Sequence, residues 1–415
     1  MKKTIFIPCL LLLTIIMGGC SFSRLKKDLQ EQKSLVKIEG QVTTQPVTQA
    51  PIMVVLLTND PLQPRLINYK IMSAPGNFTF FAEPDVYRIF AYEDVNRDQR
   101  YQTNERVGKS KRIELTKAGA GTDNLTIKIS NLADQELIQK IEDIRARGKV
   151  DLVNSRTHSG KIITLDDAAF TNEFAAMGLW QPLRFVQEVP FGIFFMKDYQ
   201  AAKTPVLFVH GINGSPLIFK ELIDSLDHTR FQPWLAYYPS GLKLDLIADY
   251  LYSLLEELQV RYDFKPITVV AHSMGGLVSR ALINLQTTKK DALFFDRLVT
   301  ISTPWAGHGA AEMGLKYAPA VIPVWNDVVP ESKFLKKLFS RSLPATSPHY
   351  LLFSYKGKSR FAGGNSDGVV TIASQLRPEA QNNAALVRGF DEDHTTILKN
   401  DAVSNLLNRI LNHAL

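Results

Sequence analysis

Cysteine is scarce. The 415 residues hold two, Cys9 and Cys20, both at the very start. If export processing removes the first of them, a single thiol remains. A chain with one thiol has no internal disulfide, and a thiol consumed by an anchor leaves no cysteine nucleophile or cysteine-ligated metal. Apolar runs are short as well. Thr4–Met17 is almost entirely apolar but too short for a comfortable membrane span. No zinc spacing, phosphate loop or RNA-binding motif occurs, and neither sign of charge is concentrated. Lys and Arg number 48 against 41 Asp and Glu, a net charge of +7 that is spread along the chain and reads as ordinary solubilising charge. Nucleic acid is therefore not an expected partner. What is present, 45% hydrophobic and 21% charged residues over this length, suits a globular chain of two or three domains.

The start is informative. Lys2 and Lys3 precede the apolar run, and Gly18–Gly19–Cys20 close it. This is a charged n-region, a short h-region and small residues at a cleavage point. The residues before Cys20 resemble a bacterial lipobox, with Met17 in place of the commoner Leu. That resemblance implies a lipoprotein signal peptide over 1–19 and acylation of Cys20. Ser21, which is not Asp, then implies the outer membrane of the bacterial envelope if the cell has one. The competing reading is an ordinary secretory signal with a coincidental cysteine. Residues 20–34 are polar and charged, and are expected to be a tether.

Residues 35–130 read as a small all-β sandwich. Short apolar segments, Val36–Val42, Met53–Thr58, Leu66–Ile71, Phe78–Phe81, Tyr87–Tyr92, Lys111–Leu115 and Leu125–Ile129, are separated by turn formers such as Asn59–Asp60–Pro61. The stretch from Gly76 to Ala91 resembles the prealbumin-like sandwiches that accompany exported proteins. One loop has ligand spacing. Asp94, Asn96, Asp98 and Glu105 occupy positions 1, 3, 5 and 12 of an EF-hand-like pattern, which could hold a structural calcium. Gln99 stands where that pattern needs Gly, so a solvated polar turn is the other reading. A linker helix is expected over 131–150, with Leu137, Ile141 and Ile144 on one face.

Residues 151–415 alternate apolar strands with amphipathic helices, the pattern of a mostly parallel, doubly wound sheet. Early strands are expected at Phe185–Val186 and Phe191–Met196. Val206–Val209 is apolar throughout, as in a strand buried on both faces. At Ile267–Val270 another such strand runs into Ala271–His272–Ser273–Met274–Gly275–Gly276 and then into helical sequence. A serine between small residues at a strand-to-helix turn is the nucleophile-elbow context. A serine hydroxyl is a poor nucleophile near neutral pH and needs a base. Of the downstream histidines, His308, His349, His394 and His413, His394 sits between the last strand and the final helix. Asp367, after the penultimate strand, is the expected acid; Asp391 and Asp393 are its rivals. Residues 307–348 are apolar enough for a cap or lid, or for an extra packed pair of helices.

These pieces together resemble an α/β-hydrolase of the bacterial lipase type, with similarity to the branch that deacylates the inositol of lipid anchors. The resemblance covers about half the chain and rests on Val209–Gly214, Ala271–Gly276, Ser302–Gly307, Ser366–Val370 and Asp393–His394, in that order. Ala271 departs from the usual first glycine of the elbow. The resemblance implies the triad Ser273, Asp367 and His394, an oxyanion hole from the backbone N–H groups of Ile212 and Met274, and catalysis without a cofactor. It implies hydrolysis of carboxylic esters, and the anchor and the apolar insertion both suit lipid esters. An acyltransferase with the same triad and a non-catalytic surface binding protein are the alternatives. A protein partner of the β-domain is open.

Overall fold

The computed structural model describes residues 9–60, 64–132, 134–146, 157–264, 266–286, 295–358 and 365–414. The first eight residues of the expected signal, and Gly148 beyond the linker helix, lie outside them; so do the side chains of Cys20, Ile141 and Ile144.

A helix, α1 (Cys9–Ser34), comes first. The β-domain follows with β1 (Val36–Thr44), β2 (Ile52–Thr58), β3 (Leu66–Met72), β4 (Asn77–Ala82), β5 (Asp85–Glu93), β6 (Arg106–Lys109), β7 (Ile113–Leu115), β8 (Gly121–Ile129) and β9 (Asn131–Leu132). They form a three-stranded sheet, β4-β1-β8, and a second sheet, β3-β2-β5-β6-β9, with β7 paired to β5. Alternation explains the packing. Ile52, Val54 and Leu56 point into the sandwich with Ile38, Phe78, Phe80, Ile89 and Ile127. Met53, Val55 and Leu57 point the other way. That outer face is buried too, under Leu137 of α2 (Gln135–Ala146) and Val260 of a C-terminal-domain helix. The carboxylate of Asp134 accepts the N–H of Leu137 and caps α2. The strand β6 was not expected; Val107 is the only large apolar side chain in Arg-Val-Gly-Lys, so periodicity does not mark it.

The C-terminal domain begins with β10 (Thr157–Ile162), α3 (Asn172–Trp180), α4 (Pro182–Glu188), β11 (Phe191–Phe195), β12 (Thr204–Val209), α5 (Lys220–Asp224), β13 (Phe231–Tyr237) and α6 (Leu244–Tyr262). It continues with β14 (Ile267–His272), α7 (Met274–Gln286), β15 (Phe295–Ile301), α8 (Gly309–Tyr317), α9 (Trp325–Val328), α10 (Lys333–Leu338), β16 (His349–Ser354), α11 (Ile372–Gln375), α12 (Pro378–Asn382), β17 (Ala384–Phe390) and α13 (Asp401–Leu411). Eight strands form one sheet in the order β10-β11-β13-β12-β14-β15-β16-β17. The strands β12 to β17 run parallel, and β10 and β11 run against them. Side chains of β14 show why the strand is apolar throughout. Ile267, Val269 and Ala271 enter the core beneath α6 and α7, whereas Val270 enters the core on the other face, with α13. This is an α/β-hydrolase-like fold preceded by a small β-domain. Phe185–Val186, expected as strand, lies in α4: Pro182 opens that helix, where its missing N–H costs nothing.

Residues 20–34 differ from expectation in how they pack, and residues 307–348 have two expected forms. Residues 20–34, expected as a tether, belong to α1 and dock on the C-terminal domain. Leu25 is fully buried there, and the ring of Phe22 meets that of Trp180 at 5.2 Å. Asp28 accepts the N–H groups of Leu183 and Arg184 at 3.2 and 2.9 Å, capping α4. An anion at a helix N-terminus satisfies donors that lack an intrahelical acceptor. The charge of the segment hid an apolar stripe of Phe22, Leu25 and Leu29. The 307–348 insertion is a group of packed helices. Ile322, Val324, Val328, Phe334, Leu335 and Leu338 sit in the main core, while Met313 and Tyr317 of α8 face outward. Among the described residues no helix is long and apolar enough to cross a membrane.

Candidate active site

The site is built where β14 meets α7. Ser273 is the residue between them and has φ = +55°, a conformation rarely adopted by L-residues. Its N–H is held by the carbonyl of Ile301 on β15 at 2.8 Å. Only small neighbours fit this turn. A Cβ on Gly275 would lie 2.2 Å from the Val209 carbonyl oxygen, and one on Gly276 would lie 2.0 Å from Thr303 Oγ1. The glycines thus allow α7 to start directly against β12 and the loop after β15.

The three residues predicted for the triad come together. His394 Nε2 lies 3.0 Å from Ser273 Oγ, and His394 Nδ1 lies 2.7 Å from Asp367 Oδ2. A carboxylate can only accept, so Nδ1 carries the proton and Nε2 is left as the acceptor facing the hydroxyl. All three side chains are buried, Ser273 at 6%, Asp367 at 1% and His394 at 7% exposure. Burial pushes the Asp367 carboxyl upward, but the hydrogen bond and charge of His394, with the amides of Val369 and Val370, outweigh it and hold the group below its ordinary value. Asp391 and Asp393 are not at this position. Asp393 caps the turn at Thr395–Thr396 with its own carboxylate.

The other histidines are structural here. His272 donates Nε2–H to the carbonyl of His394 at 2.7 Å, and burial drives its imidazole down to about 3, so it stays neutral. From the residue beside Ser273 it holds the backbone of His394. His210 donates Nδ1–H to the Gly211 carbonyl at 2.8 Å, stacks on Tyr238 and is pushed down to about 4 by burial. His308 bonds the Val369 carbonyl at 2.8 Å and caps α8 through Ala310. It therefore ties the insertion to the loop that carries Asp367.

The loop after β12 lies against Ser273. A Cβ on Gly211 would fall 2.8 Å from Ser273 Cβ and 3.2 Å from its Oγ. Ile212 follows Gly211, and the next residue, Asn213, has φ = +55° and is held through its N–H by Ser240 Oγ at 2.9 Å. Met274 is the first residue of α7, so its N–H is among those without an intrahelical acceptor. Ile212, next to Gly211, and Val369, two residues after Asp367, are 37% and 45% exposed.

Sequence reasoning missed the support of Asp367. Its Oδ2 also accepts from Ser354 Oγ at 2.8 Å and Gln375 Nε2 at 3.1 Å, and its Oδ1 accepts the N–H groups of Val369 and Val370 at 2.9 and 2.7 Å. No local pattern announces Ser354 or Gln375, which stand 13 and 8 residues from Asp367.

The expected calcium ligands are placed differently from a cation cage. Asp94 accepts the N–H groups of Asp98 and Gln99, and Glu105 those of Val95 and Gln102. Asp98 accepts from Arg100, and Asn96 from Asp98. Among the described residues no group of three His, Cys, Asp or Glu side chains converges as metal ligands would. Each oxygen of Asp94 and Glu105 thus takes one of the loop's own amides.

A family model described as a PGAP1-like alpha/beta domain matches residues 240–334, which include the elbow but neither Asp367 nor His394. No curated protein matches the chain. Among solved structures, Bacillus licheniformis lipase BlEst2 in its mature form is 17% identical, covering 53% of this chain and 97% of its own, with a TM-score of 0.41. Aspergillus fumigatus lipase B is 17% identical over 54% of this chain and 56% of its own, with a TM-score of 0.42. A gene product of Listeria innocua is 16% identical over 50% and 94%, with a TM-score of 0.39.

Proposed function

We propose that this chain is a serine hydrolase that cleaves carboxylic esters, those of lipids foremost. One observation carries the reading: a serine at positive φ, on a strand-to-helix turn, lies 3.0 Å from an imidazole nitrogen whose other nitrogen is fixed by a buried carboxylate. Ser273 Oγ attacks the ester carbonyl as its proton passes to His394 Nε2. Asp367 holds the ring in the right tautomer and stabilises the imidazolium. The tetrahedral oxyanion takes hydrogen bonds from the backbone N–H groups of Met274 and Ile212, worth about 3–4 kcal/mol for each such donor. His394 returns the proton to the leaving alcohol, leaving an acyl group on Ser273. Water, deprotonated by the same histidine, attacks the acyl carbonyl, and His394 returns that proton to Ser273 Oγ as the carboxylic acid leaves. Every proton has a stated donor and acceptor within the chain, the alcohol and the water.

The lipid preference rests on the exposed Ile212, next in the chain to the Gly211 that approaches Ser273, and on the proposed anchor. In this reading residues 1–19 are removed and Cys20 is acylated, placing the protein in the bacterial envelope, at the outer membrane where there is one. Intact mass of the exported protein, against a Cys20→Ala variant, tests that part. An unacylated wild-type mass would end it.

The enzymatic test is hydrolysis of p-nitrophenyl esters of short and long acyl chains by residues 21–415, with Ser273→Ala as control. Activity that rises with chain length and vanishes in the variant is expected. A fluorophosphonate probe separates the rival readings. Folded wild-type protein that is not labelled points to a binding role. Labelling of Ser273 with slow hydrolysis but fast transfer to added alcohols points to an acyltransferase.

A further inference from the structure

We infer that Ser302, Ser354 and Gln375 form a buried relay that positions Asp367 and sets the pH at which the His394 base becomes available. The inference rests on the triad reading above and deepens it.

The direction of the hydrogen bonds can be worked out. Asp367 is charged and can only accept, so Ser354 Oγ donates to Oδ2 at 2.8 Å. Having one proton, Ser354 must then accept from Ser302 Oγ, 2.6 Å away. The chain runs one way, from Ser302 to Ser354 to Asp367. Both serines are fully buried, and no water is needed to complete it. Ser302 also has φ = +53°, a strained backbone for a serine, and its N–H is fixed by the Leu352 carbonyl at 2.9 Å. Its hydroxyl spans from the end of β15 to Ser354 at the end of β16.

Gln375 works as a clip. Its Oε1 accepts the Ser354 N–H at 3.1 Å, and its Nε2 donates to the Ser354 carbonyl at 3.0 Å and to Asp367 Oδ2 at 3.1 Å. One amide thus joins the end of β16 to the acid's loop. With His394 and the two backbone amides, Asp367 accepts from five groups, three of them on Oδ2.

The consequence is electrostatic as well as geometric. Each donor other than His394 draws on the carboxylate's charge and leaves less of it for the imidazolium. Removing the Ser354 donor concentrates that charge on His394 and makes the ring hold its proton to higher pH. The backbone amides on Oδ1 and Gln375 still hold the carboxylate, so the pair is not pulled apart. These three are positioning residues; none touches substrate.

The test uses residues 21–415 with Ser354→Ala, Ser354→Thr and Ser302→Ala. The readouts are the NMR titration midpoint of the His394 ring, assigned with His394→Asn, and the acid limb of kcat/KM on a p-nitrophenyl ester. Ser354→Ala is expected to move both upward by about half a unit to one unit. Ser302→Ala should move them less, in the same direction, and Ser354→Thr, which keeps the hydroxyl, should restore the wild-type midpoint. An unchanged or lowered midpoint in folded Ser354→Ala overturns the relay. If Ser354→Ala does not fold, an unshifted Ser302→Ala overturns it equally. The NMR readout needs no turnover, so wild-type protein inactive on esters would count against the hydrolase reading, while the midpoints would still decide the relay.

Discussion

Two buried acidic groups in this chain use their oxygens in opposite ways. Asp367 accepts from a histidine 27 residues away, two side chains and two amides, and its carboxyl is held below the ordinary value. Asp94 and Glu105 are as deeply buried, yet all their donors are backbone N–H groups of their own loop. Burial and mutual repulsion with Asp98 leave both carboxyls raised. Depth alone therefore does not decide which way a carboxyl's affinity for its proton shifts. What separates the two is a partner brought from far along the chain that can share a proton with a third group.

The largest expected effect follows directly. Ser273→Ala abolishes ester hydrolysis, and Asp367→Asn lowers kcat by about 10⁴-fold, because the amide presents the imidazole with the wrong hydrogen-bonding partner. Asp94→Asn and Glu105→Gln leave kcat within about twofold. Steady-state kinetics on purified, folded variants check both halves. A large kcat loss from the loop variants would break the distinction.

How much of this was legible in the sequence depends on range. The elbow was legible because strand, serine, glycines and helix lie within a dozen residues. The triad partners were legible from their order after the strands. The sandwich strands were legible from their alternation, whereas Thr157–Ile162 was not, since His-Ser-Gly-Lys interrupts any apolar pattern. Contacts across long separations left no mark: His272 to His394 spans 122 residues, Ser302 to Ser354 spans 52, and Asp28 to Arg184 spans 156. The charged run at 20–34 looked like a tether because its helical stripe is only three apolar residues wide.

Asp28 sharpens the comparison at an intermediate magnitude. It too is buried, is raised by desolvation and accepts backbone N–H groups, but those belong to another helix. It should matter for stability and not for chemistry. Asp28→Ala is expected to cost about 0.5–2 kcal/mol, as for loss of a helix cap. Leu25→Ala, which empties a fully buried site, should cost roughly 2–5 kcal/mol. Urea unfolding of residues 21–415 measures both, and kcat should be unchanged for either. No loss of stability in Leu25→Ala would mean that the segment is a free tether after all.

Glu257 extends the rule to the junction between domains. It lies on α6 beside Tyr69 of β3, with Arg261 as its charged partner at 2.5 Å. Burial outweighs that arginine and pushes its carboxyl up to about 7. A carboxyl raised on folding contributes stability fully below its unfolded value, and that contribution is lost as pH rises through about 7. Stability should therefore fall between about pH 4.5 and pH 7, by at most roughly 3 kcal/mol from this group. Glu257→Gln should flatten the profile. The same slope in the variant would place its origin elsewhere.

The smallest expected effect is on the acidic loop. Added calcium at about 1 mM should leave Tm within about 1 °C, because among the described residues no three such ligand side chains converge here and the loop is already closed by its own amides. A ligand bound at a hundred times its Kd adds about 2.7 kcal/mol, and a domain of this size gains about 4–8 °C per kcal/mol. Real binding would thus raise the melting point of the β-domain by roughly ten degrees or more. A rise of that size, lost in Asp94→Asn, would show that the loop exchanges its amides for a cation, and would make donor range a poor guide to which buried carboxylates bind something.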